Sequence, residues 1–228
     1  MTPTKHFILI PVYNDWKSLN KLLSQIDETF NNEKLFDVEI LVVNDCSTEK
    51  IDVNHKENIS IKKISVLNSK KNLGSQKAIA LGLCYLKNLN QDSFITVMDS
   101  DGEDNPFKIK EMLKMAEQNK NHIITSNRKQ RKESLQIVFC YYLHLVLTFL
   151  FSFQWVSFGN FTTFSSRNLS NLLSNNCSWY AHSSSVMYNC NIKRLYAKRE
   201  KRYFDKSKLN FKSLIEHSFR VNVVFFKR

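Results

Sequence analysis

Residues 97–106 read VMDSDGEDNP and bear on the fold more directly than any other stretch of the chain. The apolar run 94–98 leads into them and predicts a buried strand that ends at Asp99. Asp99 and Asp101 follow that strand one residue apart, so both can face a divalent cation. Mg²⁺ and Mn²⁺ prefer oxygen ligands and bridge readily to phosphates. The sequence therefore predicts a metal site on Asp99 and Asp101, with Glu103 as a further candidate ligand.

Strand-like and helix-like segments alternate on both sides of this loop. The predicted strands cover 7–10, 38–43, 59–67, 94–98 and 122–125, and the predicted helices cover 16–26, 75–86 and 106–115. Pro106 suits the first position of its helix. This alternation predicts an α/β fold with a mostly parallel sheet flanked by helices.

Polar side chains directly follow four of the predicted strands. They are Asn14-Asp15, Asn44-Asp45, Asp99 to Asp101, and Asn127-Arg128. Turn chemistry alone accounts for Asn or Asp after any single strand. Ligands of parallel sheets, however, bind beyond the carboxyl ends of the strands. We therefore expect the four loops to form one shared site.

The bulk composition favours a folded, basic protein. The chain has 228 residues, of which 43% are hydrophobic, so it can fill a sizeable core. The formal charge of +12 suits a polyanionic partner, although a lysine-rich solvated surface explains it equally well. Nine Lys or Arg stand against two acids within 193–212, and this clustering favours contact with phosphate or a membrane surface. Nucleic acid is not expected as a partner, because no recognition motif accompanies the charge.

The cysteines and the N-terminus favour the cytoplasm. Five cysteines are widely spaced and include no C-x-x-C pair, so neither a zinc site nor a disulfide framework is predicted. Reduced thiols are typical of cytoplasmic proteins. The apolar run that begins after Lys5 is too short for a signal peptide, so we expect the site to stay in the cytosol.

Residues 135–159 contain no formally charged side chain and are rich in Phe, Leu and Val. Their length would permit a membrane span. Polar residues interrupt the run, and apolar residues recur every three or four positions, as at Phe139, Leu143, Leu147, Leu150 and Phe151. That spacing is typical of a helix lying in the membrane interface. An interfacial helix, a buried core helix and a true span stay open, and we favour the first.

Six tracts, taken together, carry a family resemblance. In chain order they are IPVYND (10–15), VVNDCS (42–47), NLGSQK (72–77), DSDGEDNP (99–106), GNF (159–161) running on to Ser166-Arg167, and RYFDKSK (202–208). On these tracts the chain resembles family 2 nucleotide-sugar glycosyltransferases with the GT-A fold, especially the dolichol- or polyprenol-phosphate sugar synthases. Departures from the family pattern fall at Asp15, Asn44, Glu103, Asp205 and Lys206.

The resemblance implies a GT-A, Rossmann-like fold with a C-terminal amphipathic, interfacial helical part. Residues 1–132 would form the nucleotide-sugar-binding core. Residues 133–228 would form the acceptor-side and membrane-interface region of the same domain.

The resemblance also implies roles for the candidate site residues. Nucleotide-sugar binding falls to Pro11, Tyr13, Asp15, Asp45, Lys77, Asp99 and Ser100. Metal binding falls to Asp99, Asp101 and Glu103, and catalysis to Asp101, Arg131 and Arg202. Acceptor or phosphate binding falls to Arg128, Arg167, Ser207 and Lys208. Tyr13 would pack on the base or ribose and Asp45 would accept a hydrogen bond from a base N–H. Ordinary packing explains Tyr13 too, and solvated surface charge is the competing explanation for Lys77 and the basic side chains.

The implied reaction is an inverting transfer of a hexose from a UDP- or GDP-sugar. An acceptor hydroxyl would need a general base, whereas an acceptor phosphate is already ionised near neutral pH. No isolated Glu-Asp base motif precedes the 135–159 segment. We therefore expect a polyprenyl (dolichyl or undecaprenyl) phosphate acceptor at the cytoplasmic face of a membrane, with an interfacial helix or a membrane-anchoring partner protein holding the chain there. The alternatives are a glycosyltransferase that extends a cell-surface polysaccharide and a non-catalytic, membrane-associated protein of the same fold.

Overall fold

The computed structural model describes residues 3–54, 59–128, 146, 149, 158–198 and 200–204 of the chain. The strands in this part are β1 (Thr4–Val12), β2 (Phe36–Asn44), β3 (Ile61–Asn68), β4 (Ser93–Val97), β5 (His122–Arg128), β6 (Phe158–Ser165) and β7 (Asn191–Ala197). The α-helices are α1 (Trp16–Thr29), α2 (Ser75–Asn88), α3 (Ile109–Gln118), α4 (Leu169–Leu172) and α5 (His182–Asn189). Short 3₁₀ turns cover Pro106–Lys108, Ser166–Asn168 and Ser174–Trp179.

The strands form one sheet in the order β3-β2-β1-β4-β6-β5-β7. β6 runs antiparallel to both of its neighbours, whereas the other neighbouring pairs are parallel. The predicted strands and helices are present near their predicted positions, and the mostly parallel α/β sheet is confirmed.

Helices cover both faces of the sheet. α1 buries Leu19, Leu22 and Ile26 on one face, where α3 adds its own apolar stripe. α2 buries Ile79 and Leu83 on the other face, beside α5. Apolar residues spaced three and four apart place one stripe of each helix against the sheet.

β1 continues through Pro11 to Val12, two residues beyond its predicted end. The backbone oxygen of Leu9 accepts a hydrogen bond from Met98, so Leu9 and Pro11 both face the β4 side of the strand. Paired β4 residues end at Val97, opposite Leu9. No β4 residue is paired with Pro11, so the N–H that proline lacks is not needed for a hydrogen bond within the sheet. Proline is therefore tolerated at this position.

The direction of β6 decides which residues reach the carboxyl edge of the sheet, meaning the edge where β1, β2, β4 and β5 end. Because β6 is antiparallel, its first residues, Phe158 to Asn160, lie at this edge. From β1, the chain first adds β2 and then β3 on one side, and it then crosses to the other side to add β4. The crevice between the tips of β1 and β4 is therefore the point where parallel sheets bind ligands.

β6 and β7 are not among the predicted strands. β6 carries Thr162 and Thr163 fully buried, and such hydroxyls hide the apolar pattern of a core strand. Their oxygens are satisfied by hydrogen bonds to His182 and Thr96. β7 lies at the end of the sheet and leaves Lys193 and most of its neighbours partly or fully exposed.

Most of the 135–159 segment and all of 205–228 lie outside the described residues, so the interfacial helix and the C-terminal helical part stay predictions. The last two residues of the 135–159 segment begin β6. Within the ranges given above, every helix is too short or too polar to cross a membrane. The division at residue 132 also stays a prediction.

Candidate active site

The loop after β4 is held in shape by its own carboxylates. The backbone N–H of Asp99 donates to Asp104 Oδ2 at 3.3 Å, and that of Glu103 donates to Asp101 Oδ1 at 3.0 Å. Gly102 has φ of +83°, and a Cβ there would overlap the ring of Tyr203. Glycine suits this position for two reasons: it has no Cβ to overlap Tyr203, and it adopts a positive φ without strain.

Residues 200–204, which we call the strap, cross over this loop. Tyr203 N–H donates to the backbone oxygen of Asp101 and Glu200 N–H donates to that of Glu103, both at 3.0 Å. Arg202 forms an ion pair with Asp101, with 2.8 Å between Nη1 and Oδ2, and both side chains are mostly buried. The strap therefore brings a guanidinium directly to one of the two predicted metal ligands.

Tyr203 anchors the strap to α1. Its hydroxyl donates to the side-chain oxygen of Gln25, and the Lys21 ammonium lies 4.7 Å from its ring centroid. Burial, followed by the negative charges of Asp101 and Glu200, raises the pKa of Tyr203 to about 12. The phenol is therefore protonated at neutral pH and acts as a structural donor.

Asp15 and Ser100 join the tip of β1 to the tip of β4. Ser100 Oγ donates to Asp15 Oδ2 at 3.1 Å. Asp15 also starts α1, since Leu19 N–H donates to its backbone oxygen. Both residues were assigned to nucleotide-sugar binding, and the structure brings them together between the two strands where the sheet order reverses.

Asp45 is buried, with 3% of its surface exposed, and supports the loop before α2. Its Oδ1 accepts from Leu73 N–H at 2.7 Å and its Oδ2 accepts from Gly74 N–H at 2.8 Å. Gly74 sits at φ of +81°, and its oxygen accepts the first hydrogen bond of α2. The structure thus gives the Asp45 carboxylate two backbone partners, and the hydrogen bond to a nucleotide base stays a prediction.

Two asparagines, neither assigned a site role, fix the loop after β2. Asn14 has φ of +48°, and its Oδ1 accepts from the N–H groups of Thr48 and Glu49 at 2.8 and 3.1 Å. Asn44 Oδ1 accepts from Ser47 N–H, while its Nδ2 donates to Asn68 Oδ1 at 2.9 Å. An aspartate at position 44 could not make the second bond, since an ionised carboxylate has no donor. The amide at this departure from the family pattern therefore has a local structural use.

Asn160 also lies at this edge, although the sequence pattern marks it only as part of the tract 159–161. Its Nδ2 donates to Asp99 Oδ1 at 2.9 Å. Only the reversed direction of β6 places it at the carboxyl edge, and a sequence pattern carries no signal for that direction.

The remaining predicted residues divide into three groups. Pro11 is buried at the end of β1, whereas Tyr13 and Lys77 are exposed at the same edge. Arg167 follows β6 and lies at the opposite edge, where its Nη2 is 3.7 Å from Asp92. β4 alone separates those edges by roughly 16 Å, at about 3.3 Å per residue, so Arg167 does not join the other candidates. The Arg128 side chain, Arg131, Ser207 and Lys208 lie outside the described residues.

The donor set at this edge fits a divalent metal that shares its ligands with a substrate. In the described part of the chain, no three His, Cys, Asp or Glu side chains form a ready-made metal site. Mg²⁺ bound with phosphates commonly takes only one or two protein carboxylates. Asp101 already holds a cationic partner, Arg202, so its carboxylate sits where positive charge is stabilised.

The chain matches known proteins in sequence. The sequence model of glycosyl transferase family 2 matches residues 7–167. An uncharacterized glycosyltransferase of Bacillus subtilis (strain 168), YkcC, is 25% identical over 131 residues, which make up 57% of this chain and 39% of that protein. The match thus spans about two fifths of the curated relative's length.

Solved structures share the fold at low identity. Glucosyl-3-phosphoglycerate synthase from Mycobacterium tuberculosis, in complex with Mn²⁺, UDP and phosphoglyceric acid, has a TM-score of 0.65 at 12% identity, covering 98% of this chain and 78% of that one. Residues 1–349 of TarS from S. aureus, in complex with UDP-GlcNAc, give 0.54 at 14% identity, covering 86% and 59%. These likenesses show the fold alone, which is GT-A-like as the resemblance implied.

Proposed function

The chain belongs to glycosyltransferase family 2, and from that membership we propose that it transfers a hexose from a UDP-sugar to a polyprenyl phosphate at the cytoplasmic face of a membrane. The family match covers more than half of the chain, so the chain is a glycosyltransferase. The presence of UDP or UDP-GlcNAc in the two structural neighbours supports a UDP-sugar over a GDP-sugar as donor.

The observation that carries the donor site is the hydrogen bond that joins the loop after β4 to the loop following β1. Asp99 and Asp101 follow β4, and Ser100 between them is hydrogen-bonded to Asp15 at the end of β1. A nucleotide diphosphate placed in this crevice would meet the Arg202 guanidinium beside Asp101. A forked cation suits phosphate oxygens, so Arg202 would bind and orient the diphosphate.

Asp99, Asp101 and Glu103 are the residues that would hold a divalent metal. Such a metal supplies charge neutralisation for a diphosphate leaving group. Mn²⁺ in the complex of the Mycobacterium tuberculosis synthase supports this assignment. The strap covers one side of the loop through its two backbone hydrogen bonds, which would limit the access of water to the diphosphate.

A small pocket between the tips of β5, β6 and β7 is our candidate acceptor site. Its lining includes Glu103, Asp104, Ser126, Gly159, Phe161 and Lys198. Lys198 supports a phosphate-bearing acceptor, since a lysine ammonium binds phosphate as a point charge. The basic cluster in 193–212 and the apolar 135–159 segment support a lipid carrier at an anionic membrane surface.

One observation favours a second candidate. Glu103 and Asp104 line the same pocket, and a carboxylate there could remove a proton from an acceptor hydroxyl. A sugar hydroxyl acceptor, as in polysaccharide extension, is therefore the alternative. The two candidates share the donor site and differ only in the acceptor.

An acceptor screen tests the proposal. The full chain is incubated with radiolabelled UDP-glucose, UDP-GlcNAc or GDP-mannose, Mn²⁺, and either undecaprenyl phosphate in detergent micelles or a soluble oligosaccharide. We expect label to pass from a UDP-sugar into the lipid fraction. Transfer only to the oligosaccharide would establish the alternative, and absence of transfer to both would contradict the proposal.

Asp101→Asn tests the donor site in the same assay. Removing this carboxylate should lower the transfer rate on the order of 100-fold, because it would weaken binding of the metal that neutralises the leaving group. Asp92→Asn is the matched control, because Asp92 is exposed at the opposite edge of the sheet. Full activity in Asp101→Asn would contradict the role given to this carboxylate.

A further inference from the structure

We propose that Asn160 and Gln76 are positioning residues that fix the Asp99 carboxylate for binding a metal-bound nucleotide. This inference rests on the proposed function, since it concerns the same donor site. Neither residue had an assigned role in the sequence analysis. Both act through Asp99, so we call them positioning residues and not catalytic ones.

Three side chains and one backbone amide form a continuous chain of hydrogen bonds. Asn160 Nδ2 donates to Asp99 Oδ1 at 2.9 Å, and Gln76 Nε2 donates to Asn160 Oδ1 at 3.1 Å. Gln76 Oε1 accepts from the backbone N–H of His182 at 2.7 Å. The chain therefore runs from the tip of β4 through β6 and α2 to the start of α5.

The direction of every bond in this chain follows from its two ends. The His182 N–H can only donate, so Gln76 must turn its oxygen toward it and its amide nitrogen toward Asn160. Asn160 must then turn its own oxygen toward Gln76 and its nitrogen toward Asp99. Asp99, when ionised, can only accept. One fixed backbone donor thus determines the orientation of both amides and delivers an N–H to the carboxylate.

The anchor of this chain is rigid. His182 is the first residue of α5, and the first N–H groups of a helix have no partner within it. His182 is fully buried, and its ring Nε2 is hydrogen-bonded to Thr162 Oγ1 at 2.9 Å. Gln76 is also buried, at the start of α2. Because both helices pack on the sheet, the Asn160 amide has little freedom to turn away from Asp99.

The chemical consequence is a difference between the two aspartates of the loop. Asp101 is paired with the Arg202 guanidinium, which comes from the strap. Asp99 receives an amide N–H from Asn160, which orients one oxygen of the carboxylate. A charged, oriented oxygen is what a metal ion or a ribose hydroxyl needs. Partners of this kind typically contribute 10- to 100-fold in metal affinity.

Asn160→Asp tests the proposal with little change in shape. The variant removes the N–H that Asn160 donates to Asp99 and leaves an acceptor-only carboxylate in its place. We expect the affinity for UDP in the presence of Mn²⁺, measured by calorimetry, to fall at least tenfold. Gln76→Glu removes the donor to Asn160 and should weaken the same affinity by a smaller factor, which keeps the test available if Asn160→Asp does not fold.

Asn168→Asp is the matched control. Asn168 is buried and its Nδ2 donates to the backbone oxygens of Lys120 and Ser165. The variant therefore makes the same replacement of amide by carboxylate at a position that has only structural contacts. We expect it to lower the melting temperature and leave UDP affinity unchanged.

The double variant Asp99→Asn/Asn160→Asp separates positioning from structure. It restores a donor–acceptor pair but moves the charge away from position 99, so stability should recover while Mn²⁺-dependent UDP binding stays weak. If the wild-type chain binds UDP with Mn²⁺ and Asn160→Asp and Gln76→Glu bind it equally well, the positioning role is excluded while the proposed function stands. If the wild-type chain does not bind UDP at all, the proposed function itself fails.

Discussion

Asp99 and Asp101 stand one residue apart, yet they hold different partners. Asp99 accepts a hydrogen bond from Asn160, which belongs to the sheet, whereas Asp101 is paired with Arg202 of the strap. Asp99 is therefore held by a strand of the sheet and Asp101 by a segment near the end of the described chain. At the residue scale, the sequence spacing predicted that both carboxylates would lie at the tip of β4, but only the tertiary contacts distinguish them.

His6 and His182 are a second residue-scale feature, and they predict a pH dependence of stability. Both rings are fully buried and each is hydrogen-bonded to a threonine, His6 to Thr96 and His182 to Thr162. Burial lowers the pKa of His6 to about 3 and that of His182 to about 4, from an ordinary value of 6.5. The unfolded chain therefore binds more protons than the folded chain between about pH 4 and pH 6.5, so stability falls as the pH falls through that window.

The predicted slope is about 1.4 kcal/mol of unfolding free energy per pH unit for each histidine. Urea unfolding of the wild-type chain and of His6→Gln, at several values between pH 6.5 and pH 4.5, measures it. Because glutamine does not titrate, the variant should lose one histidine's share of the slope. Equal slopes in both proteins would show that folding does not lower the pKa of His6.

At the element scale, the residue that follows β2 holds the loop that leads from β3 into α2. Asp45 follows β2 and uses both carboxylate oxygens to hold the N–H groups of Leu73 and Gly74, just before α2 begins. The sequence predicted both elements and the glycine loop. It could not predict this use of Asp45, because the contact joins residues 28 and 29 positions apart.

Replacement of Asp45 tests that element-scale contact. Asp45→Ala removes the side-chain acceptor of the Leu73 N–H and the closer of two acceptors of the Gly74 N–H, whose other acceptor is Asn72 Oδ1 at 3.2 Å. It should lower the unfolding free energy by about 1–3 kcal/mol. Asp45→Asn keeps one acceptor oxygen and should cost about half as much. Urea unfolding gives these values, and hydrogen exchange should show faster exchange at the amides of Leu73 and Gly74.

Asp92→Asn serves as the control for both variants, because Asp92 is largely exposed and distant from this loop. It should change stability by less than about 0.5 kcal/mol. Unchanged exchange at Leu73 in Asp45→Ala would mean that the carboxylate does not hold the loop.

At the scale of the whole molecule, local patterns predicted the first half well. The apolar runs at β1, β2 and β4 and the periodicity of α1 and α2 are strong signals, because burial on two faces or on one stripe imposes them. β6 was not predicted because its buried Thr162 and Thr163 interrupt the apolar run expected of a core strand. Their hydroxyls are hydrogen-bonded to residues distant in sequence. Hydrogen bonds of that kind depend on the assembled sheet and leave no local trace.

The candidate site shows the same division. Its carboxylates were predictable, because acidic residues after buried strands converge wherever the strands are parallel. The antiparallel direction of β6 was not predictable, and it has two opposite effects. It brings Asn160 to the carboxyl edge and sends Arg167, seven residues later, to the other edge.

The central claim is that Asp99 and Asp101 hold a metal that binds a nucleotide diphosphate, and a calorimetric titration of UDP tests it most directly. The full chain is titrated with and without Mn²⁺, alongside Asp99→Asn and Asp101→Asn. We predict that the wild-type chain binds UDP at least tenfold more tightly with Mn²⁺ and that each variant loses this gain. UDP affinity that is independent of Mn²⁺, or a gain that survives both replacements, would contradict the claim.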